Sequence, residues 1–315
     1  MGALVGAVVL LAAGLVNDRL MGGRAIVLLA SFAPYAAVAV LVALVGFTLL
    51  AVTKPSRWSI LGATLTLTVA AIIGRQVVPL FLADKTPSST PTVTVLTANV
   101  LVGQGDLAGA LEKGWAFHAD AVVVQEVTPE AWAAVAKSDA ANYFEYRVGQ
   151  PQPGVTGLMV LSHRPITAAS SVPVSNGGIR ATIQAGPSAK NVELIALHAA
   201  TPDSLDLWYR DLATVRDIAA GITGPLVVAG DFNATLDHEP MRRILDVGLA
   251  DAAEACGSGW HPTWPTPGHR SVPTWWPAPV ITIDHVLFSS GFTCVDTKVM
   301  DVANSDHRAV LARAY

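Results

Sequence analysis

The first 82 positions of the chain form three long apolar runs that few charged residues interrupt. The runs cover residues 3–16, 25–52 and 60–82, the last broken by Gly74-Arg75-Gln76. A helix that crosses a bilayer needs about 20 apolar residues, so the second and third runs are long enough to span a membrane. The first run is shorter, but it has neither a basic region before it nor an A-x-A cleavage site. We therefore interpret it as a retained span rather than a signal peptide.

A buried helical bundle in a soluble protein is the alternative interpretation of this segment. It is disfavoured because residues 25–52 contain no charge, which is rare in soluble folds. The whole chain is 52% hydrophobic and only 14% charged, whereas soluble domains average about 25% charged residues. We predict a membrane segment of two to three transmembrane helices over residues 1–82.

The pattern changes beyond residue 82. Residues 83–92, ADKTPSSTPT, have the composition of a linker. From Val93 on, short runs rich in β-branched residues alternate with turn signals, which is typical of strands, and helical periodicity appears between them. The predicted strands cover residues 92–99, 120–127, 157–166, 180–186, 191–200, 224–233, 281–289, 292–300 and 308–315, and the predicted helices cover 107–113, 129–137, 203–220 and 239–247.

Hairpins occur beside strand–helix–strand units in this order of elements. The 223 residues from Val93 to the end are enough for one large hydrophobic core. The pattern therefore predicts an α/β fold over residues 93–315, with two packed mixed β-sheets and helices outside them.

Polar side chains stand where the predicted apolar strands end or turn. They are Asn99, Glu126, His198, Asp231 and Asn233 at strand ends, Asp284 inside a strand, and Asp306 and His307 in the turn before the last strand. Each alone has an ordinary explanation, such as a turn cap or a packed histidine. Together they indicate a site at one edge of the sheets, because buried carboxylates are costly unless they are paired or bound to a metal.

Metal-assisted phosphoester hydrolysis is the chemistry that suits this set. A hard cation such as Mg²⁺ takes oxygen ligands, which Glu126, Asn99 and Asp306 offer. Asp231 can activate water when an amide orients it, and a histidine held by a carboxylate can stabilise phosphate charge. No cysteine or histidine cluster has the spacing of a zinc site, and the sequence has no G-x-S-x-G and no P-loop.

Seven segments resemble, in order, the signature segments of the endonuclease/exonuclease/phosphatase family. They are TANV, VVQEV, GLMVLSHRPI, ALHAATP, GDFNAT, IDHVLFS and SDHRAV, spread over residues 92–315. This superfamily contains DNase I-like nucleases, abasic-site endonucleases, neutral sphingomyelinases and inositol polyphosphate 5-phosphatases. The resemblance implies a four-layer α/β sandwich and a divalent metal, usually Mg²⁺, with Mn²⁺ as an alternative.

The resemblance also implies roles for the polar residues. Asn99 and Glu126 match the Asn and Glu of the family's metal site, and Asp306 matches the aspartate that lies near the metal.

The catalytic assignments follow from the same resemblance. Asp231 matches the aspartate that activates or orients the attacking water, and Asn233 the amide that contacts the phosphate. Asp284 matches the acid that orients the catalytic histidine, and His307 matches that histidine. His198 matches a histidine that some branches use near the phosphate.

The sequence indicates the substrate less clearly than it indicates the reaction. Four tryptophans lie within residues 260–277, and they could stack bases, sit in a lipid interface or pack the loop; they are Trp260, Trp264, Trp275 and Trp276. We take Trp264 and Arg180 as candidate substrate-binding residues, with Arg270 as a further phosphate contact. Residues 86–315 hold 14 Lys and Arg against 22 Asp and Glu, a formal charge of −8 that disfavours non-specific binding of polyanions.

The side of the membrane is not decided by loop charges. The first loop carries Arg19 and Arg24 and the second carries Lys54 and Arg57, so the positive-inside count is a tie. The membrane segment resembles that of bacterial tethered family members whose catalytic domain lies outside, so we expect an extracellular domain on a multi-pass cell-membrane anchor.

The only two cysteines, Cys256 and Cys294, could form a disulfide in an exported domain or remain as buried thiols.

The sequence thus predicts a membrane-anchored, divalent-metal-dependent phosphoesterase, with nuclease activity as the leading interpretation. Its expected partners are a phosphoester substrate and, through residues 1–82, the lipid bilayer; no protein partner is predicted. A lipid head-group phosphodiesterase or phosphatase is the alternative enzyme. A catalytically silent membrane receptor for phosphorylated ligands is the alternative from another class.

Overall fold

The computed structural model describes residues 2–16, 23–83, 93–184, 191–267, 275 and 279–315. Four helices precede the β-rich part: α1 (Gly2–Val16), α2 (Arg24–Ala30), α3 (Ala36–Thr53) and α4 (Arg57–Val77). Short 3₁₀ turns at Ala33–Tyr35 and Val78–Phe81 flank α3 and α4. The Ser56 hydroxyl caps the start of α4 by accepting a hydrogen bond from the Ser59 amide at 3.1 Å.

The apolar run over residues 25–52 forms two helices separated by a turn. Helix α2 ends at Ala30, and Pro34 lies in the 3₁₀ turn before α3. Proline lacks a backbone N–H and clashes with the preceding turn, so it separates the two helices. In the described part of the chain, two helical stretches are long and apolar enough to cross a membrane, Ala33–Thr53 and Arg57–Arg75, and α1 is shorter.

The four helices pack together, with α2 against α1. Helices α3 and α4 form a hairpin, and α1 packs against α3. Small side chains at the contact, including Ala7 and Ala36, let the helices approach closely.

The second part of the chain contains twelve strands and six helices among the residues that the structure describes. The helices are α5 (Leu107–Ala116), α6 (Pro129–Val135), α7 (Asp139–Tyr143), α8 (Leu205–Ala220), α9 (Glu239–Leu245) and α10 (Ala252–Ala255). The strands are β1 (Val93–Asn99), β2 (Ala121–Gln125), β3 (Tyr146–Gln150), β4 (Leu158–Ser162), β5 (Ile166–Ser171), β6 (Gly178–Ile183), β7 (Val192–His198), β8 (Leu226–Asp231), β9 (Leu249–Asp251), β10 (Asp284–Ser289), β11 (Cys294–Asp301) and β12 (Arg308–Ala314).

The strands form two six-stranded mixed sheets, as the sequence predicted. The first has the order β11-β12-β1-β2-β4-β3 and the second the order β5-β6-β7-β8-β10-β9. The pairs β1–β2 and β7–β8 are parallel, and the other pairs are antiparallel. The α/β sandwich is therefore confirmed.

Three apolar clusters build four layers. The inner faces of the sheets meet through side chains such as Val123 and Leu194. The outer face of the second sheet packs against α8 and α9 around Trp208, and the outer face of the first packs against α5 around Leu111. Each fully buried aliphatic side chain contributes about 1.5–3 kcal/mol relative to exposure, so these clusters dominate the folding free energy.

Close approach of β7 and β8 depends on one glycine. Gly230 has a φ of +151°, and a Cβ atom at this position would lie 2.0 Å from the Leu197 carbonyl oxygen. Any other residue here would push apart the two parallel strands whose ends carry His198 and Asp231.

Asp284 begins β10 instead of lying within a strand, which corrects the sequence-based placement. Strand β10 is antiparallel to β8, so its first residue faces the last residue of β8, Asp231. The amino end of an antiparallel strand thus joins the same sheet edge as the carboxyl ends of the parallel strands.

The sequence did not predict β3, β5 and β9 as separate strands. The β5 sequence ITAASS is mostly exposed and lacks the apolar run that identified the buried strands.

Some sequence-based predictions fall on residues outside the described ranges. These are the predicted turn of the β6–β7 hairpin at Gly186-Pro187, most of the predicted linker, Arg19, Arg270 and Trp276.

Cys256 and Cys294 form a disulfide, with their Cα atoms 5.3 Å apart. The bridge joins the end of α10 to the start of β11 and so links the two sheets at one side of the sandwich. This settles the alternative that the sequence left open.

We expect Cys294→Ser to destabilise the protein by about 3 kcal/mol, because the bridge closes a loop with a sequence separation of 38 residues. Thermal unfolding of the detergent-solubilised chain would measure the loss, with Cys256→Ser as the matched variant. Both variants should unfold like the reduced wild type. A Tm equal to that of the oxidised wild type would contradict the expectation.

Candidate active site

Six polar side chains converge at one edge where the two sheets meet. Five of them are buried at the ends of strands or just beyond: Asn99, His198, Asp231, Asp284 and Glu126, each no more than 8% exposed. His307, from the turn before β12, is 6% exposed and completes the group. The sequence-based prediction that these residues share one sheet edge agrees with this arrangement.

The Asn99 side chain joins the carboxylates of the two sheets. Its amide nitrogen donates to Glu126 Oε1 at 3.0 Å and to Asp231 Oδ2 at 3.1 Å. The other Glu126 oxygen accepts a hydrogen bond from the Val102 amide at 2.7 Å. Glu126 itself has a φ of +61°, an uncommon conformation for a non-glycine residue that turns the chain at the end of β2.

Asp231 is held so that it can gain or lose a proton near neutral pH. Its Oδ1 accepts a hydrogen bond from the Asn233 amide at 2.9 Å. Burial raises the pKa of Asp231 to about 7, against the opposing charge of His307. A carboxyl group with such a pKa suits general-base catalysis at neutral pH.

His307 is the cation of the group. Its Nδ1 lies 2.9 Å from Asp284 Oδ2, and its Nε2 lies 3.8 Å from Asp231 Oδ2. Burial alone would lower the pKa of His307, but the carboxylates of Asp284 and Asp231 raise it to about 10. The imidazole is therefore protonated at neutral pH, with Nε2–H directed toward the Asp231 side of the site.

The pKa of His198 is shifted in the opposite direction to that of His307. Burial lowers the pKa of His198, and its Nδ1 lies 3.1 Å from the Val155 carbonyl oxygen. A neutral ring that donates from Nδ1 leaves Nε2 as an acceptor, 3.5 Å from Asp231 and 3.8 Å from Glu126. It can therefore accept a hydrogen bond from water or substrate beside the two carboxylates.

Asn233 lies in the loop after β8, with a φ of +48°. Its side-chain nitrogen donates to the Ala199 carbonyl oxygen at 3.0 Å, and its own carbonyl accepts from the Trp208 indole at 3.0 Å. These contacts fix the loop beside the strand end. One amide N–H and the side-chain oxygen of Asn233 remain for a ligand.

Asp306 is held by a tryptophan. The Trp264 indole nitrogen donates to Asp306 Oδ2 at 3.2 Å, and the Trp264 ring lies 6.5 Å from the His307 ring. Asp306 Oδ1 and Asp284 Oδ1 are buried without a hydrogen-bond partner in the described structure. Buried carboxylate oxygens normally have partners, so these two orphaned atoms indicate a cation or a donor that completes the site.

One group of described residues has ligand atoms close enough together to hold a metal. Asp231, Asp284 and His307 offer ligand atoms within 4.8 Å of one another. A protonated His307 has no lone pair to offer, however, because both of its ring nitrogens carry a proton. A hard divalent cation takes oxygen ligands, so the carboxylates of the site fit it better than His307 does.

Arg180 is not brought into this group by any contact of the described residues. It lies on the outer face of β6, where its guanidinium donates to Glu193 on β7 at 2.7 Å. The other tryptophans of the loop separate as well: the Trp260 ring packs edge-on against Tyr35 at 4.9 Å, and Trp275 is exposed.

One residue that supports the site, Ser305, was not singled out from the sequence. The Ser305 hydroxyl donates to the Asn99 carbonyl oxygen at 2.7 Å and accepts from the His307 amide, which anchors the histidine turn to β1. His285 is buried between Asp251 and the Ala234 carbonyl oxygen, and so supports the loop after Asp231. Ser305 belongs to the SDH segment, so the sequence contained a signal from which its role in the site could have been predicted.

The charge of His307 generates a prediction for the metal-free protein. Asp284→Asn should lower the His307 pKa by more than one unit, because a charged hydrogen bond worth about 1.5–3 kcal/mol is lost. Imidazole NMR signals followed against pH would measure it, with the exposed Asp217→Asn as control. An unchanged titration in Asp284→Asn would contradict the ion pair.

The same pKa shift sets a pH dependence of stability. The folded-state pKa of His307 lies above its usual value of 6.5, so its stabilising effect is complete below about pH 6.5 and is lost as pH rises through about 10. The Tm of the metal-free wild type should fall more steeply between pH 7 and pH 10 than that of His307→Gln. Parallel curves would exclude this linkage.

Several solved structures share the fold of the β-rich part. An endonuclease/exonuclease/phosphatase from Beutenbergia cavernae DSM 12333 is 20% identical with a TM-score of 0.55, over 71% of this chain and 72% of that chain. Sphingomyelinase C from Streptomyces griseocarneus is 21% identical with a TM-score of 0.51, over 72% and 100% of the two chains. D. rerio TDP2, solved with a single-strand DNA product, is 13% identical with a TM-score of 0.53, over 71% and 98%.

At these identities the similarity shows the fold and not the substrate. No curated protein sequence matches the chain. Residues 96–307, which include every strand-end residue described above, match the Endonuclease/Exonuclease/phosphatase family. The chain therefore belongs to the endonuclease/exonuclease/phosphatase family, a superfamily of phosphoester hydrolases.

Proposed function

We propose that the protein is a membrane-anchored, divalent-metal-dependent phosphodiesterase whose leading substrate is nucleic acid. The observation that carries the proposal is the buried edge where Asp231, of raised pKa, lies between a protonated and a neutral histidine. A phosphodiester needs a base for water and a cationic donor for the phosphate, and both stand within one group.

In this proposal each side chain has one task. The Asp231 carboxylate accepts a proton from the attacking water, and the Asn99 and Asn233 hydrogen bonds fix its orientation. His307 donates from Nε2 to a phosphate oxygen, while Asp284 keeps the ring protonated. His198 accepts a hydrogen bond on the other side of Asp231.

Glu126 and Asp306 would hold the cation, with Asn99 beside them, and Mg²⁺ is the expected metal with Mn²⁺ as an alternative. When bound, such an ion neutralises charge on the phosphate oxygens. Trp264 keeps Asp306 in place through its indole hydrogen bond and has its ring beside His307, where it could also contact a substrate.

A lipid head-group phosphodiester is the second candidate substrate. The observation in its favour is that the apolar helices pack directly on the catalytic part instead of holding it on a loose tether. The Arg242 guanidinium donates to the Gly14 carbonyl oxygen at 2.9 Å, and the Tyr35 hydroxyl to that of Val280 at 2.9 Å. If the helices span a bilayer, these contacts keep the site close to its surface.

We further propose that the catalytic domain lies outside the cell on a multi-pass anchor. The support is the Cys256–Cys294 disulfide, since disulfides persist in oxidising compartments and are rare in the cytosol. Loop charges do not favour this side, because Arg75 at the domain end of α4 adds a positive charge there.

Removing the base or the cation should abolish turnover. We expect Asp231→Asn and His307→Ala each to lower kcat about 10²–10⁴-fold, because each removes a proton-transfer or charge-stabilising group. Hydrolysis of bis(p-nitrophenyl) phosphate by the full chain with Mg²⁺ would measure this, with Asp217→Asn as control. EDTA should remove the activity and added Mg²⁺ should restore it.

Turnover that survives both substitutions would contradict the proposed mechanism. Tight metal-dependent ligand binding without turnover in the wild type would favour the silent receptor instead.

The substrate class needs a direct comparison. We expect the wild type with Mg²⁺ to cleave single-stranded DNA or RNA faster than sphingomyelin or phosphoinositides, and His307→Ala to lose that cleavage. Product analysis by gel and thin-layer chromatography would follow all substrates in parallel. Cleavage of the lipids alone would replace nuclease activity by head-group hydrolysis.

A further inference from the structure

A cavity of about 330 Å³ lies between the N-terminal helices and the catalytic part, and its inner end reaches Asp284 of the proposed catalytic group. Its apolar lining comes from both sides: Leu15, Ala33, Ile73 and Leu80 from the helices, and Leu236 and Leu245 from the catalytic part. The volume falls within the range of about 300–1,000 Å³ that small-molecule sites usually occupy.

The helix side of the cavity is formed by those ends of the apolar helices that face the catalytic part. Leu15 stands at the end of α1, Ala33 just before α3, and Leu80 just after α4. If α3 and α4 span a bilayer, these ends lie at its surface, so the cavity is placed at the level of the lipid head groups.

Exposed apolar side chains lie at the cavity and near it in the chain. Leu15, which lines the cavity, is 61% exposed, and Val78 and Phe81 near the end of α4 are 52% and 60% exposed. An apolar path from the lipid-facing surface into the cavity needs no polar group to be desolvated.

One cation at the cavity is without a bonded partner in the described structure. Arg75, in the last turn of α4, is exposed and lines the cavity, and no described carboxylate or carbonyl accepts a hydrogen bond from it. Arg242 also lines the cavity, but its guanidinium is bonded to the carbonyl oxygens of Gly14 and Asp237. Four acids lie on the catalytic side of the lining, and all are engaged: Asp251 with His285, Asp284 with His307, and Asp237 and Glu254 with other groups.

We propose that this cavity binds an acyl chain of an anionic glycerophospholipid, with the lipid phosphate at Arg75. The inference rests on the proposed membrane insertion and goes beyond the phosphoesterase activity. The apolar lining fits the chain, the exposed residues provide its entry, and Arg75 provides the charge for the phosphate. The bound lipid would fill the space between the helices and Leu236, three residues beyond Asn233.

The test uses the full chain, purified in detergent, stripped of lipid and titrated with dioleoyl phosphatidylglycerol or dioleoyl phosphatidylcholine. Native mass spectrometry counts the lipids retained per chain. We expect one retained phosphatidylglycerol, bound about fivefold more tightly than phosphatidylcholine, the effect of about one basic residue at a lipid surface.

Two substitutions test separately whether binding depends on the charge of Arg75 and on the volume of the cavity. Arg75→Gln should abolish the preference for phosphatidylglycerol, whereas Arg57→Gln, at the opposite end of α4, should leave it unchanged. Ala33→Trp should fill the cavity and remove retention of both lipids. Leu236→Trp makes the same change from the catalytic side if Ala33→Trp does not fold.

Retention that is unchanged in a folded cavity-filling variant would overturn the proposal, as would a preference that depends on Arg57 and not on Arg75. A chain that stays monodisperse without detergent and binds neither lipid would overturn the membrane insertion as well. Turnover of bis(p-nitrophenyl) phosphate by the wild type is measured separately, and its absence would contradict the proposed function without deciding lipid retention.

Discussion

The ion pair between Asp284 and His307 is the interaction on which the candidate site depends. Asp231 and Asp284 face each other in register on neighbouring strands, and both are almost completely buried. Two such carboxylates would not both stay ionised without a positive charge, because water is excluded and like charges repel. His307 supplies that charge from the other sheet, so the pair balances the site and joins the sheets where their polar ends meet. Breaking it would leave a buried charge without a partner, which costs more than the pair itself contributes.

The rest of the site is rigid because its side chains stand on or beside buried strands. Asn99 holds Glu126 and Asp231 at once, and Ser305 ties the histidine turn to β1. Beyond Asp231 the chain continues into a loop whose buried His238 lies 2.9 Å from the Val27 carbonyl oxygen of α2. Burial lowers the pKa of His238 to about 4, so the contact persists in the neutral form at physiological pH. The apolar helices are thus packed against the segment that follows the candidate base.

Much of this arrangement could be predicted because strand signals and polar strand ends coincide in the sequence. The strands that carry Asn99, His198 and Asp231 were each predicted to within about two residues of their observed ends. The edge strand β5 was missed because exposed strands have little apolar signal. The run over residues 25–52 contains a candidate span, Ala33–Thr53, but the break between α2 and α3 near Pro34 was not predicted.

The sequence by itself determined the fold class, the positions of most strands along the chain and the identity of the polar residues at their ends. These properties follow from local periodicity and from the cost of burying charge, and both can be read along the chain. Only the tertiary structure decided which polar groups meet: the Asn99 bridge between the sheets, the Trp264–Asp306 bond, and the pairing of Arg180 with Glu193 away from the site. The disulfide and the cavity at Arg75 were likewise decided only by the tertiary structure. Such contacts join residues far apart in the chain, and their distances depend on how the sheets and helices pack rather than on any local pattern.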